Sequence, residues 1–270
     1  MEIATVNGVE IEYEVLGSGE PMLFIHGALV AATFAPLVKE PALQRYRRIR
    51  YHRRGYGGSG HPGRMTDFYE QAADATALLA HLGVAKAHLV GHSYGGLLAL
   101  RLALDSPATV HTLSLLEPPM LAEPVGAAFF AGPLAPVVAA YQRGEKQRAA
   151  ELFRDAVGGP DAARTLDEHL GPEAGAQAVA DADTVFGTEF PEIAKGLFTA
   201  ADAPRVRVPA LSLVGAQSHP LFQESHSFLL ARLGDVAGVV IPRATHFLQI
   251  EQPAAIAAAI AAFAAKHRLS

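Results

Sequence analysis

The 270-residue sequence contains no cysteine. That absence removes disulfides, thiolate metal sites and a cysteine nucleophile together, and it is compatible with a reducing compartment. Positive charge is not in excess either. Twenty-two Lys and Arg against 27 Asp and Glu leave a formal net charge of −5. Nucleic-acid binders usually carry a basic excess or stripe, so this balance argues against such a partner. The densest basic stretch, RYRRIRYHRR (45–54), alternates as an edge-near strand with solvated arginines would. The first residues, MEIATVNGVEIEYEV, show no basic n-region and no apolar h-region, so no signal peptide is read there. One apolar stretch, AEPVGAAFFAGPLAPVVAAY (122–141), approaches membrane-span length, but Pro124, Pro133 and Pro136 break it. It reads as an apolar helical lid. With 50% hydrophobic residues the chain should pack as a globule rather than stay disordered. The expectation is a soluble cytoplasmic protein with neither nucleic acid nor membrane as partner, and with a homodimer left open.

No internal repeat and no low-complexity linker interrupts the chain. The length suits one large α/β domain, or a core domain with a small insertion. Short β-branched runs at 2–6, 9–15, 21–25, 47–52, 87–91, 111–116, 209–214 and 237–241 predict strands. Helical periodicity appears at 34–45, 66–82, 94–105, 221–233 and 252–267. The first two strands, joined at NGV, read as an antiparallel hairpin. After them the strands are separated by helices, which requires crossovers and hence a mostly parallel sheet. Between 118 and 204 the alternation stops: the stretch is rich in Ala, Gly and Pro, helical in period and without a convincing strand. It is expected to be a helical insertion, with 1–117 and 205–270 forming the core.

The strongest chemical signal is HLVGHSYGGLLAL (88–100). An apolar strand runs into Gly91-His92-Ser93-Tyr94-Gly95 and then into an apolar helix, the G-x-S-x-G nucleophile elbow in its required context. Glycine is needed on both sides of the serine because a Cβ there would collide with neighbouring backbone in so sharp a turn. The turn lifts Ser93 Oγ above the sheet, beside a helix N-terminus with its oriented N–H groups. A serine nucleophile needs a base from the same sheet edge. Of 12 histidines, His81, His169 and His267 fall in or beside helices and read as surface residues. His246, in VVIPRATHFLQIEQP, follows the last strand and precedes the last helix, on a loop at the correct edge. Acyl chemistry also needs donors for the developing oxyanion. MLFIHGALV (22–30) ends a strand at His26-Gly27, so the N–H of Ala28 can join that of Tyr94. His26 itself reads as a packed histidine supporting the loop.

RRGYGGSG (53–60) satisfies G-x-G-x-x-G through Gly55, Gly57 and Gly60. A dinucleotide fingerprint opens directly into a helix and finds an acid at the end of the next strand. Here HPGRMTD intervenes and the next strand ends in Gly91-His92-Ser93, so no nucleotide site is read, and no Walker A pattern is present.

Taken together, the His26-Gly27 loop, RGYGGS, the Gly91–Gly95 elbow and THFLQIEQP resemble the α/β-hydrolase superfamily over nearly the whole chain. The resemblance implies an α/β-hydrolase fold, an eight-stranded and mostly parallel sheet flanked by helices, with a helical cap inserted after the sixth strand, at 118–204. It also implies a Ser–acid–His triad in that order and no cofactor or metal. One departure matters. The usual acid is an Asp just after the seventh strand, where this chain reads LSLVGAQSHPLF (211–222) with Gln217, Ser218 and His219 in the slot. A histidine base without an ionised partner loses tautomer control and stabilisation of its imidazolium. Asp202 and Asp235 precede strands and Asp105 follows the elbow helix, all at the wrong edge. Glu224 lies too far into a helix, and Glu251 opens the final helix, where an acid suits the dipole alone. Glu117 leaves the sixth strand at the correct edge, and Pro118 and Pro119 fix its exit. Zearalenone-type lactone hydrolases are locally similar in this placement.

The expected function is therefore a cofactor-independent serine hydrolase of small apolar carboxylic esters or lactones, of esterase or lactonase type. Ser93 is the nucleophile, His246 the base, Glu117 the acid, and Ala28 and Tyr94 the oxyanion donors. Phe129, Phe130, Phe153, Phe186 and Phe198 suggest an apolar pocket. The same triad could serve carbon–carbon bond hydrolysis or perhydrolysis. Epoxide hydrolase and haloalkane dehalogenase activities are disfavoured, because those relatives have Asp where this chain has Ser93. The rival from another class is a non-catalytic ligand-binding relative.

Overall fold

A computed structural model describes residues 1–61, 63 and 65–269. The chain opens with the antiparallel pair β1 (Glu2–Val6) and β2 (Val9–Leu16). Their turn holds Asn7 and Gly8 at φ 48° and 74°, the left-handed conformation that tight hairpins demand and Asn-Gly supplies. Six further strands follow: β3 (Pro21–Ile25), β4 (Arg47–Tyr51), β5 (Ala87–His92), β6 (Val110–Leu116), β7 (Ala210–Gly215) and β8 (Val236–Ile241). All eight lie within one residue of the runs read from the sequence. They form one sheet in the order β1-β2-β4-β3-β5-β6-β7-β8, antiparallel up to the β2–β4 pair and parallel beyond it.

The core helices are α1 (Phe68–His81) and α2 (Tyr94–Asp105), then α9 (Pro220–Arg232), α10 (Leu248–Glu251) and α11 (Pro253–Lys266) once the insertion is counted. Alternate strand residues serve opposite faces. Leu23, Ile25 and Leu89 pack with Leu78 of α1 and Leu98 of α2, while Met22, Phe24 and Val90 pack with Ile256 and Ile260 of α11. α1 begins where the sequence caps it: Asp67 accepts the Tyr69 N–H at 2.8 Å, and Glu70 accepts the Asp67 N–H at 3.1 Å.

Two expectations fail for identifiable reasons. No α-helix forms over 34–45; three short 3₁₀ turns (Ala31–Phe34, Leu37–Lys39 and Pro41–Leu43) take its place. Pro36 and Pro41 lack the N–H that a helix needs, and Glu40, ahead of Pro41, is extended at ψ 137°. The helix expected at 252–267 forms as α11 over Pro253–Lys266, preceded by α10 as a separate turn that ends at Gln252 (φ −133°, ψ 51°). The arginines of the basic stretch are not all solvated: Arg48, Arg53 and Arg54 are 8%, 1% and 2% exposed. Each has found buried partners. Arg48 donates to the Val38 carbonyl at 2.7 Å, and Arg54 forks onto Asp74 with two bonds of 2.5 Å.

Between β6 and β7 lie α3 (Pro124–Ala131), α4 (Ala135–Gln142), α5 (Lys146–Gly158), α6 (Ala162–Leu170) and α7 (Pro172–Ala180). A π-helical segment (Asp183–Glu189) then runs into the single turn α8 (Phe190–Glu192). Their apolar faces make a cluster of their own, with Phe129, Val137, Phe153, Leu166 and Val185, joined from below by Leu29 and Phe247 of two loops and Phe222 of α9. Among the described residues no single helix is long and apolar enough to cross a membrane; α3 and α4 are bent by 41° at their break.

Candidate active site

The chain crosses to opposite sides after β3, toward β4 on one flank and β5 on the other. Such a reversal opens a crevice at the carboxyl ends of the strands. Ser93 stands there at φ 53°, ψ −121°, a conformation that persists only where the surroundings over-determine it. Its N–H donates to the Leu116 carbonyl at 2.8 Å, tying the elbow to β6. A Cβ on Gly91 would lie 2.5 Å from the Gly95 carbonyl oxygen, and one on Gly95 would run into the Ile25 and His26 carbonyls. Both glycines are required by this close approach.

Glu117 leaves β6 at φ 51°, another left-handed non-glycine residue. Its carboxylate is buried, 2% exposed, and both of its oxygens accept hydrogen bonds. His246 Nδ1 donates to Oε2 at 2.7 Å. The Gly215 N–H and the Ser218 hydroxyl donate to Oε1 at 2.7 and 2.5 Å. The slot that lacks an Asp thus supplies a hydroxyl donor instead, and the carboxylate arrives from the neighbouring strand. Burial pushes the Glu117 carboxyl up, against the pull of the Ser218 and Gly215 donors, and pushes the His246 imidazole down. The ring is therefore neutral at rest. With Nδ1–H committed to Glu117, Nε2 is left as its basic atom.

Three contacts that sequence reading did not find hold this histidine. Phe222, at the start of α9, stacks on the ring at 3.9 Å between centroids and 12° between planes. His92 Nε2 donates to the His246 carbonyl at 2.9 Å. Glu251 closes α10 rather than opening the last helix, and it accepts the Thr245 N–H at 2.6 Å and its hydroxyl at 2.8 Å. The acid expected to serve the helix dipole pins the loop that carries His246. Position in a helix pattern was its only sequence signal.

Ser93, His92 and His246 line one small cavity together with Ala28 and Phe247. Tyr94 opens α2, so its N–H has no intrahelical acceptor. Gly27 brings the preceding loop close: a Cβ there would sit 3.0 Å from the Ser93 Cβ. His26 is buried and supports the loop, with Nδ1 donating to the Gly27 carbonyl at 2.7 Å and Nε2 accepting the Arg53 N–H at 3.0 Å.

A second, larger cavity adjoins Ser93, Ala28 and Tyr94 on the side of the inserted helices. Phe129, Phe130 and Phe153 line it, as expected, but Phe186 and Phe198 do not. Phe186 packs on Phe153 and Phe190 inside the cap, and Phe198 belongs to the core cluster over α1 and α2. Phe190 and Phe222 line the cavity in their place. No charged side chain faces it. Glu224 lies exposed on α9, and Asp105 pairs with Arg101 at the far end of α2. Among the described residues no group of three metal-ligating side chains occurs.

The family described as alpha/beta hydrolase fold matches residues 20–253. A non-heme haloperoxidase of Rhodococcus erythropolis is 40% identical over 95 residues, 35% of either chain. The chain spans between 35% and 44% of the length of the first curated relatives it matches. A thermophilic esterase from Thermogutta terrifontis superposes with a TM-score of 0.83 at 23% identity, covering 99% of this chain and 100% of that one. The enol-lactonase from Burkholderia xenovorans LB400 superposes with a TM-score of 0.77 at 19% identity, covering 98% and 100%. At such identities these two likenesses speak for the fold alone.

Proposed function

The chain belongs to the α/β-hydrolase fold family, and from that premise we propose that it is a serine hydrolase that cleaves a carboxylic ester or lactone through an acyl-enzyme. The observation that supports this reading most is the 2.7 Å bond from His246 Nδ1 to Glu117, at the sheet edge where Ser93 is held in a strained elbow.

In the proposed reaction Ser93 Oγ attacks the carbonyl carbon as His246 Nε2 takes its proton. Glu117 holds the opposite N–H and balances the imidazolium that forms. The Ala28 and Tyr94 N–H groups donate to the oxygen as it gains charge. The tetrahedral adduct collapses when Nε2–H protonates the departing alkoxide. Water, deprotonated by the same nitrogen, then attacks the acyl carbon, and the Ser93 oxygen leaves with the proton. Ester and water are the only reactants. The apolar cavity suits the uncharged half of the substrate, and it favours small acyl or ring groups over charged ones.

A fluorophosphonate probe and an uncharged p-nitrophenyl ester test the reading on wild type and Ser93→Ala. Labelling at Ser93 and turnover in the wild type, both lost in the variant, are expected. An unlabelled wild-type serine would favour the ligand-binding alternative.

A further inference from the structure

The loop that carries Ala28 is braced by groups the mechanism above does not use, and they converge on one carboxylate from the cap. Glu189 ends the π-helical segment and is fully buried. Its Oε2 accepts the Tyr56 hydroxyl at 2.7 Å, and its Oε1 pairs with Arg53. The Tyr56 oxygen in turn accepts the N–H of Leu29, the residue after Ala28, which sits at φ 69°. Arg53 donates Nε–H to the His26 carbonyl at 3.1 Å and Nη2–H to the Gly27 carbonyl at 2.9 Å. Its third nitrogen also reaches Gln71, whose amide donates to the Tyr94 hydroxyl at 3.2 Å. The guanidinium lies 4.6 Å over the Tyr56 ring and 4.8 Å over that of Tyr94. Residues 26, 27 and 29 and the side chain of Tyr94 thus bracket both N–H groups assigned to the oxyanion.

The cap docks on the same glycine loop by two more bonds. The Thr184 hydroxyl donates to the Gly55 carbonyl at 2.6 Å, and the Gly57 N–H donates to Asp181 at 3.2 Å. Gly55 sits at φ 79°, with Thr184 Oγ1 2.6 Å from where a Cβ would be. Of the glycines that mimic a dinucleotide fingerprint, Gly55 is the one this docking requires, whereas the Cβ positions of Gly57 and Gly60 are filled by His52 and by Val9 of the core. A buried ion pair adds little net stability, and its best-attested use is to fix register. Here the register is that of the oxyanion loop against the cap. Donors to an oxyanion lose their effect when displaced from the charge that develops.

We propose that Glu189, acting through Tyr56 and Arg53, is a positioning residue for the oxyanion site, so that the π-helical segment of the cap sets the geometry of a core loop. This rests on the hydrolase reading above. Glu189→Gln and Tyr56→Phe are assayed on an uncharged p-nitrophenyl ester, alongside inhibition by an alkyl boronic acid, which forms a tetrahedral anion on a serine. The kcat should fall about 10²-fold in Glu189→Gln and roughly tenfold in Tyr56→Phe, with KM held within about twofold. Boronate affinity should fall by the same factors as kcat/KM. A kcat kept in both variants, a change in KM alone, or boronate affinity untouched by a fall in kcat would each overturn the proposal. Should Glu189→Gln fail to fold, Tyr56→Phe decides alone, since it keeps the ring and the ion pair. Phosphonate labelling and turnover of the wild type are measured on the same preparations. Their absence sinks the hydrolase reading and this inference with it; their presence beside unaltered variants sinks only the inference.

Discussion

The loops at the carboxyl edge of the sheet and the helices above them are built on opposite principles. Below, three of the left-handed non-glycine residues, Leu29, Ser93 and Glu117, stand within one crevice. Each is held by bonds to a neighbouring element. Above, among the described residues, no non-glycine residue of the insertion takes a positive φ, and the helices cohere through Phe129, Val137, Phe153 and Phe186. Strain of this kind costs about 1–3 kcal/mol per residue and persists where exact placement is worth it. Apolar packing tolerates substitution of similar volume at less cost. The lower region, together with the Glu189 brace that reaches down to it, should therefore govern rate, and the apolar packing of the upper region the shape of what is accepted.

Glu117→Gln tests the lower half most severely. The amide keeps the size of the side chain but presents no charge to balance the imidazolium, and its NH₂ cannot accept from Gly215, Ser218 or His246. Loss of kcat by about 10³- to 10⁴-fold is expected, by analogy of chemistry with the acid of other serine triads. Glu224→Gln, exposed on α9, serves as its control and should stay near the wild-type rate. Ester turnover unaffected by Glu117→Gln would break the assignment and the comparison with it.

How far this could be read in advance follows the same division. The strands, the elbow and the loop positions of His246 and Glu117 are local patterns: a β-branched run, a glycine-flanked serine, a strand end followed by prolines. Each was legible because its cause lies within a few residues. The contacts of Ser218 and Phe222 were not, although Ser218 occupies the slot that lacks an Asp and Phe222 follows it closely. Their roles exist only once β6 and β7 are adjacent. The pairing of Arg53 with Glu189, 136 residues away in sequence, left no signal beyond a basic run, and that run read as solvent-facing. The same limit explains the cap phenylalanines. A Phe in a helix announces burial, but whether it faces a cavity or another helix depends on how the helices pack.

Phe130→Ala probes the upper half. Phe130 is half-buried, lines the larger cavity and packs on Phe190 at 5.8 Å between centroids. Its loss should raise KM for a medium-chain acyl ester about tenfold, within the 1–3 kcal/mol that apolar pocket contacts supply, and leave kcat within about threefold. A fall in kcat at constant KM would show that the cap side acts on rate, as Glu189 is proposed to do from its other end.

The pH profile is the mildest perturbation and asks whether the two regions cooperate in one property. In the proposed mechanism His246 must be neutral to accept the Ser93 proton, so kcat/KM should fall as pH drops through its pKa. An exposed imidazole would place that limb near about 6.5. Burial pushes the His246 value down, and the burial comes from Phe222 and Phe247 around the ring. The sign is then fixed: activity persists below the ordinary imidazole range, and the acid limb lies on its acidic side. A limb at or above about 6.5 would mean either that water reaches the ring freely or that the carboxylate of Glu117 outweighs desolvation in setting its proton affinity. Repeating the profile on Phe222→Leu, which keeps an apolar neighbour but loses the stacked face, should move the limb back toward the ordinary value by a fraction of a unit. That shift, measured against an unmoved limb in Phe130→Ala, would separate the part of the insulation that comes from the core from the part that comes from the cap.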